Sequence, residues 1–160
     1  MANKALNEFL TTHLDGAYRF AYAYVKDHPT AEDVVAESVE KALSKFGTLK
    51  DPGKIKPWFY QIVANNAKNA LKKRSKIVYL DEFSSCASEA DDYSQLHLED
   101  LFKILSADER AIVALRFFEQ HKLSEIAEIL SVNENTVKTR LYSVLKKLRM
   151  ELSWEECENE

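Results

Sequence analysis

The sequence predicts an all-α protein made of two small helical domains. It has only three glycines and three prolines in 160 residues, which are too few for the many turns of an all-β fold. Apolar residues also recur three and four positions apart through most of the chain, which is the spacing of amphipathic helices. A polar, acidic stretch interrupts this pattern near the middle, and we therefore expect two helical units separated by a linker.

The first predicted helix covers most of the N-terminal thirty residues. Apolar side chains follow helical spacing from Leu6 to Val25, and Asp27-His28-Pro29 ends the pattern. We expect a bend near Gly16.

A second helix is predicted over residues 31–46. Thr30 with Asp33 three positions later resembles a capping box, and Gly47 marks the end of the helix. The expected buried positions are Val35, Val39, Ala42 and Phe46.

A loop over residues 48–56 precedes a third helix that begins at Pro57, where the missing backbone N–H has no cost. The helix carries five Lys or Arg residues and no acid over residues 58–76. Its expected buried stripe is Phe59, Ile62, Val63, Ala67, Ala70 and Leu71; its expected exposed face is Tyr60, Gln61, Asn65, Lys68, Asn69, Lys72 and Lys73. Aromatic, amide and cationic groups on one face suit stacking on unpaired bases and holding phosphates. The alternative is a solvated basic helix with Trp58 in the core.

Charge is unevenly distributed along the chain. Residues 1–75 hold twelve basic and eight acidic residues, residues 76–100 hold one and seven, and residues 101–160 hold nine and eleven. The local balances of +4, −6 and −2 sum to the overall −4. This pattern predicts a nucleic-acid binder that also carries a segment which repels nucleic acid.

Helical spacing resumes after the acidic stretch. Ser106 and Glu109 form a second capping-box match, opening a helix through Ile112, Leu115 and Phe118. Residues 124–149 then read as a short helix, a break at Ser131-Val132-Asn133 and a longer helix, with an apolar stripe of Val137, Leu141, Val144, Leu145 and Leu148. This is the spacing of a helix-turn-helix.

The second of these helices carries side chains suited to duplex DNA. Asn can pair with adenine, Arg with guanine, and Thr can touch a thymine methyl group, while Lys can hold phosphates. The candidate DNA-binding residues are Glu134, Asn135, Thr136, Lys138, Thr139, Arg140, Lys146 and Lys147. The alternative is a bundle helix pair with a charged outer face.

Other kinds of site receive little support. Cys86 and Cys157 lack the spacing of a zinc site or a disulfide framework, and we expect no metal and no cofactor. No run approaches the ~20 apolar residues of a membrane span, and no signal pattern opens the chain, so we expect a cytoplasmic protein without membrane insertion.

Five segments together resemble the extracytoplasmic-function (ECF) sigma factors of the sigma-70 family. They are residues 30–35, 56–65, 115–118, 123–127 and 135–141, and they follow the family's order and spacing over about residues 5–150. The resemblance implies a region 2 domain over residues 1–76, an acidic linker over 77–95, a region 4 helix-turn-helix over 96–152, and an acidic tail over 153–160.

The resemblance also implies roles for individual residues. Glu32, Asp33 and Glu37 match the helix that docks on core RNA polymerase. The minus-ten element would be opened and held by Lys54, Lys56, Trp58, Asn65, Lys68, Asn69 and Lys72, and the helix-turn-helix would read the minus-thirty-five element. The linker resembles the segment threaded through the RNA path of the polymerase.

Four positions depart from the family pattern. Ala36 stands where Gln is usual, Asn69 where Asp is usual, Ser131 where the turn commonly has Gly, and Ser143 where Arg is frequent. These departures affect individual contacts and leave each motif in place.

The implied partners are core RNA polymerase, through its β′ clamp and β flap, promoter DNA, and an anti-sigma factor of soluble or membrane-anchored kind. No small-molecule substrate is expected. A stand-alone helix-turn-helix regulator is the main alternative, although this alternative gives no function to the basic face of residues 58–76. A small helical enzyme is disfavoured, because no His, carboxylate and nucleophile share a suggestive spacing.

Overall fold

The computed structural model describes residues 2–78 and 103–158, and the side chains of 4–74 and 103–151. We call these two parts the N-terminal half and the C-terminal half. Most of the predicted acidic linker, and Cys86 within it, lies outside the described residues. The all-α prediction is confirmed, since the described residues contain helices and turns and no strand.

Three long helices form the N-terminal half: α1 (Ala2–Val25), α2 (His28–Lys45) and α3 (Ile55–Val78). Short 3₁₀ turns at Phe46–Thr48 and Pro52–Lys54 connect α2 to α3. The C-terminal half contains α4 (Ala107–Val113), a π-helical turn (Ala114–Phe118), α5 (Leu123–Leu130) and α6 (Glu134–Glu158). The last helix continues into the segment predicted as a separate acidic tail.

The start of α2 differs from the prediction. Asp27 is the N-cap, and its carboxylate accepts hydrogen bonds from the backbone N–H and the hydroxyl of Thr30. These bonds and a proline in the first turn start the helix three residues before Ala31. The predicted Thr30–Asp33 capping box is therefore wrong, because Asp27 already satisfies the Thr30 N–H.

The buried positions of α2 and α3 also differ in part from the predicted stripes. Val34 and Ser38 are buried in α2, whereas Val35 and Val39 only border the core. In α3, Phe59, Val63 and Ala67 are buried as predicted.

The predicted bend near Gly16 does not break α1, which is continuous. The helix α3 begins two residues before Pro57.

The C-terminal half follows the predicted pattern closely. The Ser106–Glu109 capping box is present, with both reciprocal hydrogen bonds formed. The helix α5 ends at Ser131, and the backbone N–H of Val132 donates to the Ala127 carbonyl at 3.0 Å. In α6, Val137 and Val144 are buried, whereas Leu145 is exposed, contrary to the predicted stripe. Phe118 is also exposed, since the π-helical turn rotates it outward.

The two halves share one hydrophobic core. Phe20 and Phe59 of the N-terminal half lie in the same cluster as Ile112, Leu115 and Ile126 of the C-terminal half. Burying apolar surface of both halves against each other stabilises this arrangement. In the described part of the chain, no helix has the length and apolar character that a membrane span requires.

Candidate nucleic-acid interface

The basic face of α3 is partly open to solvent. Asn65, Asn69 and Lys72 are exposed, and Lys68 is half-buried. Trp58 is half-buried and makes an edge contact with Phe46, with ring centroids 6.2 Å apart. The exposed amides and the cations of this face can accept a single strand, since amides bind base edges and cations bind phosphates.

Tyr60 does not belong to this exposed face, which corrects the prediction. Its side chain is fully buried between the halves, with its ring against Phe20 and His121. The Tyr60 hydroxyl donates to Glu119 Oε2 at 2.9 Å. Burial, and then the nearby Glu119 carboxylate, raise the pKa of Tyr60 far above its usual range. The helical period alone could not reveal this, because the partner that covers Tyr60 comes from the other half.

Three lysines predicted to hold the minus-ten strand contact the C-terminal half. Each ammonium group lies near an oxygen atom of that half: Lys54 Nζ 3.8 Å from Glu128 Oε1, Lys56 Nζ 3.3 Å from the Glu119 carbonyl, and Lys68 Nζ 3.1 Å from the Leu130 carbonyl. In this arrangement the three ammonium groups have partners in the C-terminal half, and their role in holding DNA stays a prediction.

The outer face of α6 is the helix-turn-helix surface. Its N-terminus is capped by Asn133, whose side-chain oxygen accepts from the Asn135 N–H at 2.9 Å. Asn135, Thr139 and Lys146 are exposed and lie along one side of the helix. Glu134 and Lys138 are also exposed, whereas Thr136 is half-buried.

Tyr142 shares this outer face and was missed by the sequence analysis. It lies three residues after Thr139 and is 76% exposed. An exposed tyrosine can stack on or hydrogen-bond to a partner, which makes Tyr142 a candidate contact residue on this face. The signal in the sequence was its position, since it lies opposite the buried Val137 and Val144.

Two cations of this helix have partners within the protein. Lys147 Nζ binds Glu109 at 2.7 Å, so it stabilises the packing of α6 on the capping box of α4. Burial by itself raises the pKa of Glu109, but the hydrogen bonds from Lys147 and Ser106 together outweigh it and lower that pKa below its usual value. Arg140 is half-buried, with its guanidinium 3.9 Å from Asp108. A DNA role for both residues stays a prediction.

The predicted polymerase-docking residues form an acidic surface on α2. Glu32, Asp33 and Glu37 are all exposed, and Glu37 is 3.7 Å from the ammonium group of Lys41. Ala36, one of the family departures, is exposed among them. An exposed acidic helix face is suited to a basic partner surface.

The α3 face and the helix-turn-helix meet at one cleft. It has a volume of about 340 Å³, and its walls include Lys68 and Lys72 from α3 and Arg140 from α6. The candidate contacts for the minus-ten and minus-thirty-five elements thus lie side by side. No group of three or more potential metal ligands occurs among the residues with described side chains.

Comparison with known proteins places these features in a family. The sigma-70 region 2 family model matches residues 9–77, and the sigma-70 region 4 model matches residues 96–148. RNA polymerase sigma factor SigV of Bacillus subtilis is 44% identical over 151 residues, covering 92% of this chain and 90% of that protein. The ECF RNA polymerase sigma factor SigW of the same organism is 24% identical, covering 92% and 89% of the two chains.

A solved structure agrees with these matches. The sigma factor RpoE of Bartonella quintana, in complex with the anti-sigma factor NepR, superposes with a TM-score of 0.78 and 25% identity, covering 92% of this chain and 96% of that one. The family models follow each other in the order that the sequence predicted. The chain therefore belongs to the extracytoplasmic-function group of the sigma-70 family of RNA polymerase sigma factors.

Proposed function

We propose that this protein binds core RNA polymerase and directs it to specific promoters, opening the minus-ten element with α3 and reading the minus-thirty-five element with α6. The observation that carries this proposal is the presence of three different surfaces on one short chain. They are the acidic face of α2, the amide and lysine face of α3, and the outer face of α6. We also propose residues 1–76 and 96–152 as the two functional domains.

The acidic face of α2 is the proposed contact with polymerase. Glu32, Asp33 and Glu37 project together into solvent, and basic residues on the clamp would pair with them. Because these carboxylates are exposed, they steer the encounter and set its specificity more than they add binding free energy.

The face of α3 is the proposed contact with the melted strand. Exposed Asn65 and Asn69 can hydrogen-bond to base edges that duplex DNA hides, while Lys68 and Lys72 bind phosphates. Unpairing costs a few kcal/mol per base, and these contacts together with stacking on Trp58 offset it.

The outer face of α6 is the proposed contact with duplex DNA. Asn135, Thr139 and Tyr142 would face base edges in the major groove, and Lys138 and Lys146 would bind the flanking phosphates. Lys147 is less suited to binding a phosphate because its ammonium group already pairs with Glu109.

Partners and place of action follow from this role. Sigma factors are not in general enzymes, and we propose a binding role without catalysis for this chain. Its proposed binding partners are core polymerase and promoter DNA, so we place its action in the cytoplasm. The RpoE structure contains an anti-sigma factor, and we propose a regulatory partner of that class here.

Run-off transcription tests the proposal. Purified bacterial core polymerase and a promoter library are incubated with and without the protein, and the transcripts are sequenced. Initiation that depends on the protein and starts downstream of a shared two-part motif is the expected result. If the protein binds duplex DNA but neither binds core polymerase nor supports initiation, a stand-alone regulator replaces the sigma factor.

A further inference from the structure

We propose that the cavity between α1 and the π-helical turn is a binding site for a small aromatic acid, a single ring that carries a carboxylate. The cavity has a volume of about 180 Å³, and its walls are almost entirely apolar. It includes none of the residues proposed to contact polymerase or DNA. The inference therefore goes beyond the proposed function and can be tested without polymerase or promoter DNA.

Aromatic side chains from both halves line the cavity. Tyr18 and Tyr22 come from α1, and Phe118 comes from the π-helical turn. The two tyrosine rings are nearly parallel, with an interplanar angle of 14° and centroids 6.4 Å apart. His28 holds both of them, because its ring stacks on Tyr22 at 4.4 Å and its Nδ1 forms a hydrogen bond with the Tyr18 hydroxyl. Aromatic walls fixed in this way favour a ligand with an aromatic ring.

The π-helical turn places Phe118 in the wall of the cavity. The Glu119 N–H donates to the Ala114 carbonyl at 3.0 Å, a hydrogen bond between residues five positions apart. Such a turn is wider than an α-helical one and changes the direction of the side chains that follow it. Phe118 is consequently 51% exposed, although Leu115 in the same turn is fully buried. Its ring is therefore available to a ligand.

The volume of the cavity limits the size of the ligand. An apolar cavity of about 150 Å³ is sufficient to bind benzene. Sites for drug-sized ligands are larger, from about 300 to 1,000 Å³. At about 180 Å³, this cavity can hold one ring with a small substituent. A nucleotide, with its base, sugar and phosphates, is too large for it.

The charged residues at the cavity favour a negative substituent on that ring. Arg19, Lys26 and Arg110 all line the cavity, and no Asp or Glu of the described residues does. The aliphatic parts of these long side chains can border an apolar space while their charged ends lie at its edge. A ligand that combines an apolar ring with a carboxylate matches both properties of the site.

Arg110 is suited to bind the carboxylate. It is half-buried, and its guanidinium donates to the carbonyls of Ala23, Tyr24 and Leu105 at 2.6, 3.1 and 2.8 Å. A guanidinium has five N–H donors, so these bonds leave others for a ligand. Among the side chains that the structure describes, no carboxylate pairs with Arg110. A partly buried cation is stabilised by an anionic partner, and a carboxylate matches a guanidinium in geometry.

The test titrates the full-length protein with benzoate and follows binding by isothermal titration calorimetry. Benzamide and acetate are the control ligands, because benzamide keeps the ring without the charge and acetate keeps the charge without the ring. Benzoate should bind at one site with a dissociation constant of about 1 mM or lower, a range open to ligands of this size. Each control ligand should bind at least about tenfold more weakly. The absence of saturable benzoate binding would overturn the proposal.

Phe118→Ala and Phe117→Ala locate the site. The two phenylalanines are neighbours with similar exposure, 51% and 54%, and of the two only Phe118 lines the cavity. Phe118→Ala removes an aromatic wall and should weaken benzoate binding about tenfold, whereas Phe117→Ala should leave it unchanged. Circular dichroism checks that both variants keep their helix content. Equal effects of the two substitutions would mean that benzoate binds elsewhere, which overturns the assignment of this cavity.

An NMR measurement on the unmodified protein covers the case in which Phe118→Ala does not fold. The ring protons of bound benzoate should show nuclear Overhauser effects to the rings of Tyr18, Tyr22 and Phe118. Contacts to other residues alone would overturn the proposal. Equal affinities for benzoate and benzamide would also overturn it, since the cations would then not select the ligand. Failure of any of these tests leaves the proposed function unaffected, because run-off transcription tests that function separately.

Discussion

Asn66 of α3 and Ser38 of α2 form a buried hydrogen bond that joins the two helices on which the proposed polymerase and DNA contacts lie. The Asn66 amide donates to Ser38 Oγ at 2.9 Å, and the Ser38 hydroxyl donates to the Val34 carbonyl at 2.6 Å. The Asn66 carbonyl oxygen accepts from Lys41 at 2.6 Å. Because Lys41 also lies near Glu37, this network links the acidic face of α2 to α3.

Asn66→Ala should lower the free energy of unfolding by about 2 kcal/mol, because it removes the hydrogen bonds of Asn66 to Ser38 and Lys41 and opens a small cavity. Urea denaturation followed by circular dichroism measures this. The double variant Asn66→Leu with Ser38→Ala should cost much less, since apolar groups replace both partners. Asn65→Ala, at the exposed neighbour, should change stability by under about 0.5 kcal/mol. An equal cost for Asn65→Ala and Asn66→Ala would contradict a structural role for the network.

Ser131→Gly should stabilise the protein by about 0.5 kcal/mol. Ser131 ends α5 with φ of 56°, a left-handed conformation that glycine adopts without the steric cost of a Cβ. Part of that gain is lost because glycine is more flexible in the unfolded chain. Ser143→Gly, at an exposed and ordinary helical position of α6, should instead destabilise. Thermal unfolding of both variants measures the difference, and the same sign for both would disprove the backbone explanation.

Replacing both Asp33 and Glu37 by lysine should weaken core-polymerase binding at least about tenfold. The reason is that two negative charges proposed to face a basic surface of the polymerase become positive. The fold should remain intact because both side chains are exposed. Glu8→Lys with Asp15→Lys on α1 is the matched control, since it makes the same charge change at exposed positions. Surface-based binding measurements at two salt concentrations compare the pairs. If both pairs weaken binding equally, the effect is one of net charge and the docking face lies elsewhere.

Lys138→Ala should weaken binding to all duplexes and reduce the slope of log affinity against log salt by about 0.9, the loss of one phosphate contact. Tyr142→Ala should act differently, weakening binding to the promoter more than to a scrambled duplex, because Tyr142 is exposed on the face that we propose to contact base edges. Both are measured with the polymerase holoenzyme on matched DNA fragments. Equal losses on promoter and scrambled DNA would remove Tyr142 from the reading face.

The packing of the N-terminal half against the C-terminal half should weaken as the pH falls below about 6.5. Burial lowers the pKa of His121 from 6.5, opposed by its bond to Glu125, with Lys56 lowering the pKa and Glu119 raising it. Its Nε2 is buried against Tyr60 and has no hydrogen-bond partner in the described structure. When the two halves separate, His121 becomes solvated and binds a proton more readily than it does in the packed arrangement. The free energy that favours packing of the halves is therefore fully present above pH 6.5 and decreases below it.

Small-angle scattering between pH 7.5 and 5.5, on the order of one unit either side of the ordinary histidine pKa, follows this opening. The radius of gyration should rise as the pH falls. His121→Gln, which cannot titrate in this range, should flatten the change. A wild-type radius that stays constant while the fold is retained would mean that the His121 site opens without separating the halves.

The local features of this protein were decided by its sequence. Helical spacing and few breakers determined the α class, the Ser106–Glu109 pair determined the start of α4, and the order of motifs identified the family. The first two properties depend on residues within one or two helical turns of each other, where spacing fixes geometry, and the third depends only on the order of motifs along the chain. The start of α2 was missed because Asp27 and Thr30 both offer capping oxygens, and the position of the adjacent Pro29 favours the first.

Only the tertiary structure decided which residues cover part of the basic face of α3. The burial of Tyr60 and His121, the site of Glu119 and the need for glycine at position 16 depend on side chains roughly sixty to a hundred residues apart in sequence. Periodicity reports which face of a helix is apolar, but it does not report which other helix packs there. A tyrosine suits either an exposed stacking face or a buried hydrogen bond, and the choice depends on whether an acceptor from the other half reaches its hydroxyl.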